Sequence, residues 1–183
     1  MTDTDQPLSP SWSWRTWSDD DLGTVLGFFD EPDFYFRTTL PALLSEAEIA
    51  RLSEGCHLLL ADGDPVGMWT VESVVDRSAH YELAFRLRAG TPDAWWADAY
   101  RRIAAGLAWR SEVVRLTVPV FEFDERLLRI LRGLGLDEEG LLEAVVLNNG
   151  RLYGQYSFAQ VRGDGFPLRQ PAAPGASRES ERR

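Results

Sequence analysis

Large apolar residues alternate with polar ones from Ser11 to Ser18, with Trp12 and Trp14 in phase and Trp17 offset, which predicts a strand with one buried face. The triplet Asp19-Asp20-Asp21 supplies helix-cap candidates, because carboxylates suit the positive end of the backbone dipole. Leu22, Val25, Leu26 and Phe29 then recur at helical spacing until Pro32. A second helix starts at Ser45, where Glu48 three residues on completes a capping box. His57–Ala61 and Val66–Val75 read as a hairpin across the turn Asp62-Gly63-Asp64-Pro65, and His80–Arg88 as a further strand. Thr91-Pro92-Asp93 opens a helix that runs to Arg110, with Trp96, Tyr100, Ile103 and Leu107 on one face. Val113–Val118 is β-branched and apolar enough for burial on both faces. A helix follows over Asp124–Leu134, and Leu141–Leu147 with Leu152–Val161 form a last hairpin across Asn148-Asn149-Gly150.

The order β-α-α-β-β-β-α-β-α-β-β predicts an α/β (α+β) domain built on one sheet, and the crossover 80–118 predicts a right-handed parallel pair inside it. The domain is expected over residues 11–162. Residues 1–10 read as a disordered lead-in, and residues 163–183, rich in Pro, Gly, Ser and charge, as a disordered tail.

Composition narrows the chemistry. All nineteen basic residues are arginine, so lysine Schiff bases, a phosphate-loop lysine and a lysine base are excluded. The net charge of −10 argues against a nucleic-acid partner. Residues 1–64 carry thirteen acidic residues and three Arg, and the remainder carries sixteen of each, so the whole excess lies in the first third. One cysteine, Cys56, excludes an internal disulfide, and two histidines argue against a multi-histidine metal site. Cys56 and His57 are adjacent, which in a strand sends them to opposite faces and separates them as a nucleophile–base pair. No leader opens the sequence and no apolar run reaches the ~20 residues of a membrane span, so the expectation is a cytoplasmic protein with no membrane partner.

Two motifs carry a resemblance. The run DERLLRILRGLGLDEEG at 124–140, followed by Asn149-Gly150 and the aromatic strand from Leu152 and Tyr153, is close to N-x-x-A-x-x-x-x-x-x-L-G-F-x-x-E-G with its glycine turn. The hairpin motif DGDPVG at 62–67 is the other. In this order they resemble the GNAT acyltransferase superfamily over roughly residues 12–161, and within it the RimJ/RimL type, which acetylates protein N-termini or small amines. The resemblance implies a central mixed, mostly antiparallel sheet flanked by helices. It also implies acetyl-CoA or another acyl-CoA as co-substrate, no metal, and a small-molecule or peptide amine as acceptor that attacks the thioester directly.

The same resemblance assigns the donor site to Phe85 and Leu87 on the fourth strand, to Arg88, Ala89, Gly90, Thr91 and Ala94 at the start of the long helix, and to Asp124 in the family's Asn position. A loop of the form R/Q-x-x-G-x-G/A turns backbone N–H groups toward a pyrophosphate in that family. Here the stretch is RLRAGTPDA at 86–94. Ala89 and Thr91 stand where glycines are expected, Pro92 removes an N–H, and Asp93 adds a carboxylate; Arg86, Arg88, Arg101 and Arg102 are the compensating cations. The family base is a Glu on a middle strand, for which Glu72 and Glu82 are the candidates; a solvated strand-face role is the alternative. The family acid, a Tyr on the fourth helix, has no counterpart in 124–134. Tyr153 and Tyr156 on the last strand, three residues apart and so on opposite faces, are the relocated candidates, with Tyr153 put first and sheet packing as the alternative for both. Asp124 serves equally as a helix cap. Two rival functions follow: a GNAT-like enzyme fed by an acyl carrier protein, whose phosphopantetheine has no pyrophosphate, and a non-catalytic GNAT-fold binding or regulatory module.

Overall fold

The computed structural model describes residues 9–74, 79–110 and 113–162. The lead-in expected over 1–10 lies almost wholly, and the tail expected over 163–183 wholly, outside the described residues, as does Val75 at the end of a predicted strand. Seven strands form one sheet: β1 (Trp12–Thr16), β2 (His57–Ala61), β3 (Asp64–Ser73), β4 (His80–Leu87), β5 (Arg115–Phe121), β6 (Asp137–Asn148) and β7 (Arg151–Val161). Four helices accompany them: α1 (Leu22–Phe29), α2 (Glu46–Ser53), α3 (Asp93–Arg110) and α4 (Glu125–Gly133). The strand order is β1-β2-β3-β4-β5-β7-β6. Every neighbouring pair is antiparallel except β4–β5, which is parallel as the crossover requires.

The sheet separates two cores, and the period-2 alternation of each strand decides which side chain enters which. Leu58 and Met68 join Val25, Phe28, Phe29, Phe34, Phe36 and Ile49 beneath α1 and α2. Leu59, Trp69, Leu83, Phe85 and Leu87 turn the other way and pack with Trp96, Tyr100 and Ile103 of α3 and Leu127 and Leu131 of α4. Full burial of each such side chain is worth about 1.5–3 kcal/mol. Two glycines are required by geometry. A Cβ at Gly67 would stand 2.1 Å from the Arg86 carbonyl oxygen, so only glycine lets β3 approach β4 there. Gly150 (φ 75°) and Asn149 (φ 48°) make the left-handed pair of the β6–β7 turn.

Some boundaries differ from the sequence reading. The Asp triplet is a 3-10 turn capped by Ser18 and precedes α1. Strand β5 starts and ends later than Val113–Val118: Pro119 sits opposite Ser157 and Phe121 opposite Gln155 within the β5–β7 ladder. Strand β6 begins at Asp137, well before Leu141: Gly135 (φ 74°) closes α4 abruptly, and as an edge strand β6 tolerates the polar residues Asp137–Glu139.

At the start of the chain, Arg15 donates from Nη1 and Nη2 to the two carboxylate oxygens of Asp21, each at 2.5 Å, and Ser18 donates to Asp21 from its N–H and hydroxyl at 3.1 Å. These bonds hold the Asp21 carboxyl at about 2, below its ordinary value. A depressed carboxylate stabilises the fold above its unfolded pKa and loses that contribution as pH falls from about 4 toward about 2. Asp21→Asn is therefore expected to lower the melting temperature by a few degrees at pH 7 and to match the parent at pH 2, measured by thermal melts followed by circular dichroism.

Candidate functional site

Strands β4 and β5 pair over three positions, His80–Arg115, Tyr81–Leu116 and Glu82–Thr117, and then part. Beyond Glu82 the backbone groups that β4 turns toward β5 have no ladder partner there. A cavity of about 250 Å³ fills the fork. Its walls include Leu83, Phe85, Val118, Val120 and Leu127, and its polar groups come from Glu82, Arg37, Arg86, Asp124 and Tyr35. That volume lies just under the roughly 300–1,000 Å³ of drug-sized pockets, so it takes a slender chain or a small head group.

Alternation places Glu82, Ala84 and Arg86 on the β4 face that looks toward α1 and α2. Glu82 stands directly opposite Glu72 of β3. The Glu82 carboxyl lies at the cavity, partly withdrawn from water although the residue keeps solvent contact. That burial, with the Glu72 carboxylate beside it, raises its pKa above the ordinary carboxylate value against the opposing pull of Arg37. Glu72 is more exposed and is already bound: Arg37 Nη2 donates to its Oε1 at 2.5 Å, while Arg37 Nη1 donates to the Leu52 carbonyl. The two candidate bases thus differ in position. Glu82 faces the fork, and Glu72 stands beside it in an ion pair.

The floor of the fork is a buried ion pair. Arg86 is 4% exposed and Asp124 is 5% exposed. Arg86 Nη1 donates to Asp124 Oδ2, and its Nε and Nη2 donate to the Asp33 carbonyl at 3.2 and 2.6 Å. Its guanidinium carbon lies 5.1 Å from the Tyr35 ring centre and 5.2 Å from that of Trp96. Asp124 also caps α4 by accepting from the Leu127 N–H at 3.2 Å. Asp124 thus caps α4 and borders the cavity.

Tyr35 was legible only as part of an aromatic cluster, yet its ring lines the cavity. Burial raises its phenol above the ordinary value, with the Arg86 guanidinium pulling the other way. Tyr153 is further out. Its ring meets Phe123 edge-on at 5.1 Å, Phe123 meets Tyr35 at 4.9 Å, and Arg151 covers its face at 4.9 Å. Glu122 is tied to Gly154, whose N–H it accepts at 2.9 Å. Cys56 lies in the α1–α2 core with burial pushing its thiol upward, whereas His57 stacks on Trp69 at 4.5 Å, so the two are on opposite faces. Among the described residues no cluster of three or more His, Cys, Asp and Glu is arranged to hold a metal ion.

The loop between β4 and α3 is exposed at Arg88, Ala89 and Gly90, and Ala94 is exposed in the first turn of α3. Phe85 and Leu87 bury their side chains against α3, so only their backbone is free to face the fork. Thr91 is buried; its hydroxyl donates to the Arg88 carbonyl and accepts from the Trp96 indole N–H, both at 2.7 Å. Of the four arginines expected to meet phosphates, Arg86 is buried in the ion pair, Arg88 pairs with Glu31, Arg102 with Asp98, and Arg101 is exposed.

No protein-family model matches the sequence, and no curated protein matches it. Solved structures match its fold. RimL, a ribosomal L7/L12 alpha-N-protein acetyltransferase in complex with coenzyme A, superposes with a TM-score of 0.71 at 11% identity, covering 85% of this chain and 96% of its own. A spermidine N-acetyltransferase from Vibrio cholerae, in complex with CoA and spermine, gives 0.68 at 13% identity, covering 84% and 96%. A GNAT-family acetyltransferase from Bacillus anthracis gives 0.67 at 11% identity over the same shares. The chain has the GNAT fold.

Removing one member of a buried ion pair strands the other without a partner. Asp124→Ala is expected to cost about 3–5 kcal/mol in urea unfolding, whereas Arg86→Met with Asp124→Leu recovers most of the loss by replacing both charges with apolar bulk.

Proposed function

We propose that this GNAT-fold chain transfers an acyl group, acetyl in the simplest case, from a pantetheine thioester to a cationic amine acceptor in the fork between β4 and β5. The observation that carries this reading is Glu82: a carboxylate with a raised pKa, placed where the two strands part and a slender cavity opens. The fold likeness to N-acetyltransferases supplies the reaction class.

In this mechanism the thioester arm lies along β4, and an unpaired β4 N–H donates to the developing oxyanion. Glu82 takes a proton from the acceptor ammonium, directly or through one water, and the free amine attacks the thioester carbonyl. The C–N bond forms, the C–S bond breaks, the thiolate leaves with the proton of the Tyr35 phenol, and the second proton lost by the acylated nitrogen returns to the Tyr35 phenolate, directly or through water. Tyr35 takes this role in preference to Tyr153, because Tyr35 borders the cavity and Tyr153 is separated from it by the Phe123 ring. Glu72 contributes negative charge beside Glu82 and is paired with Arg37.

The acceptor side is acidic. Glu72 and Glu82 form a cross-strand pair on the face beneath α1 and α2, within or beside the third of the sequence that carries the whole charge excess. Two of the structural neighbours are named for cationic amine acceptors, a ribosomal-protein N-terminus and spermidine. A peptide N-terminus and a small polyamine are therefore the first acceptors to try.

The test is amine-dependent thiol release from acetyl-CoA and acetyl-phosphopantetheine across a panel of primary amines. The rate is expected to rise with pH through a pKa above the ordinary glutamate value, since the base works ionised. Glu82→Gln should lose that limb and lower kcat by about 10²–10⁴. Thiol release no faster than in the absence of the protein, from a donor that binds, favours the binding-module reading, and release that needs no amine overturns amine acylation in favour of hydrolysis.

A further inference from the structure

The parted strands aim any thioester arm at one rim. The C-terminal end of β4 leads into residues 88–92 and that of β5 into the cap of α4, so the tail of a donor lying in the fork emerges between them. A loop at the start of an eighteen-residue helix is where an anionic tail would be met. In this chain that rim is already neutralised from within. Glu31, from the segment after α1, accepts from the Ala89 N–H at Oε2 (2.7 Å) and from Arg88 Nε at Oε1 (2.8 Å). The Arg88 N–H goes to the Val66 carbonyl, the Thr91 N–H goes to the Arg88 carbonyl, and Pro92 has none. Asp93 draws Arg126 Nε at 2.8 Å and Arg129 Nη2 at 2.7 Å, and Arg126 also donates to the Ala89 and Thr91 carbonyls.

We infer that Glu31 is a donor-specificity residue: its carboxylate occupies the loop where a diphosphate would bind and selects a thioester whose pantetheine arm carries no diphosphate. This rests on the acyl-transfer reading above and names its donor class. The physical case has two parts. Three backbone N–H groups of the loop are committed and a fourth is missing. A diphosphate would also bring its charge against two carboxylates, Glu31 and Asp93, whose cations are paired. A single phosphate fills only the proximal position and brings no second phosphate against these carboxylates, so it meets less of that repulsion. The donor is thus a phosphopantetheine thioester, either free or tethered to a carrier protein.

The experiment is calorimetric titration of the full chain with CoA and with 4′-phosphopantetheine. The two are expected to bind within about threefold of each other, because the nucleotide diphosphate of CoA gains nothing at an occupied loop. Glu31→Ala frees the Ala89 N–H and Arg88, and is expected to tighten CoA by about tenfold while leaving phosphopantetheine unchanged. Glu31→Gln, which removes charge while keeping shape, should tighten CoA by a smaller factor and guards against misfolding of the alanine variant. CoA binding to the parent about tenfold tighter than phosphopantetheine, or an unchanged CoA affinity in both folded variants, overturns the role of Glu31 and leaves acyl transfer standing. Binding of neither probe to parent or variants overturns both. Tighter binding of the arm on a carrier protein than of the free arm identifies the tethered source; equal binding identifies the free one.

Discussion

One buried guanidinium ties the molecule together. Arg86 sits at the end of β4 and is bonded to the Asp124 cap of α4 and to the Asp33 carbonyl in the strap between α1 and α2. Its faces meet Tyr35 from that strap and Trp96 from α3. A charge so enclosed costs several kcal/mol in lost hydration, and only a full set of partners offsets it. The strap, the crossover helix and the cap of α4 must therefore adopt mutually compatible positions. That requirement fixes the width of the fork between β4 and β5 and keeps its cavity small.

The acidic first third acquires its meaning from this frame. Glu31 and Asp33 belong to the strap that Arg86 fastens, and they act on opposite ends of the same device: Asp33 through its carbonyl on Arg86, Glu31 through its carboxylate on the donor loop. Across the sheet face, Arg37 from the far end of the strap takes Glu72, while burial and then the neighbouring Glu72 carboxylate raise the pKa of Glu82 against the pull of Arg37. Of that acidic third, Glu31 brings its charge to the loop before α3 and Asp33 contributes its backbone, whereas the cross-strand carboxylates Glu72 and Glu82 come from the charge-balanced remainder.

The element order was legible in the sequence because it depends on local signals: the Ser45–Glu48 capping box, the Asn149-Gly150 turn, the Pro92 helix start and the apolar alternation of each strand. The parallel β4–β5 pair followed from the crossover alone. Glu82, Asp124 and the loop 88–94 were named because the resemblance to the GNAT superfamily assigns roles by position along a strand or before a helix. What joins them was hidden. Arg86 meets Asp124 across 38 residues, and Glu31 meets Ala89 across 58. Neither pairing leaves a trace in spacing or periodicity, because opposite charges are common and only the fold decides which ones meet. Tyr35 was hidden differently: among Phe34, Tyr35 and Phe36 its hydroxyl gave no sign of which ring would border the cavity.

The loop that departs from the family pattern is better understood as refastened than as eroded. Loss of a ligand-binding loop by drift would leave charges and backbone donors without partners, which is costly in a partly buried place. Here the substituted positions answer one another. Thr91 exchanges hydrogen bonds with Trp96 and the Arg88 carbonyl, Asp93 takes two arginines from α4, and one of them, Arg126, covers the carbonyls of Ala89 and Thr91 while its guanidinium lies 4.9 Å from the Trp96 ring centre. Glu31 completes the set from the opposite side. These contacts join the segment after α1 to α3 and α4 through the loop itself. The fork between β4 and β5 stays open while the loop before α3 is tied by the chain's own side chains, a combination that fits the proposed change of donor more closely than a loss of catalysis.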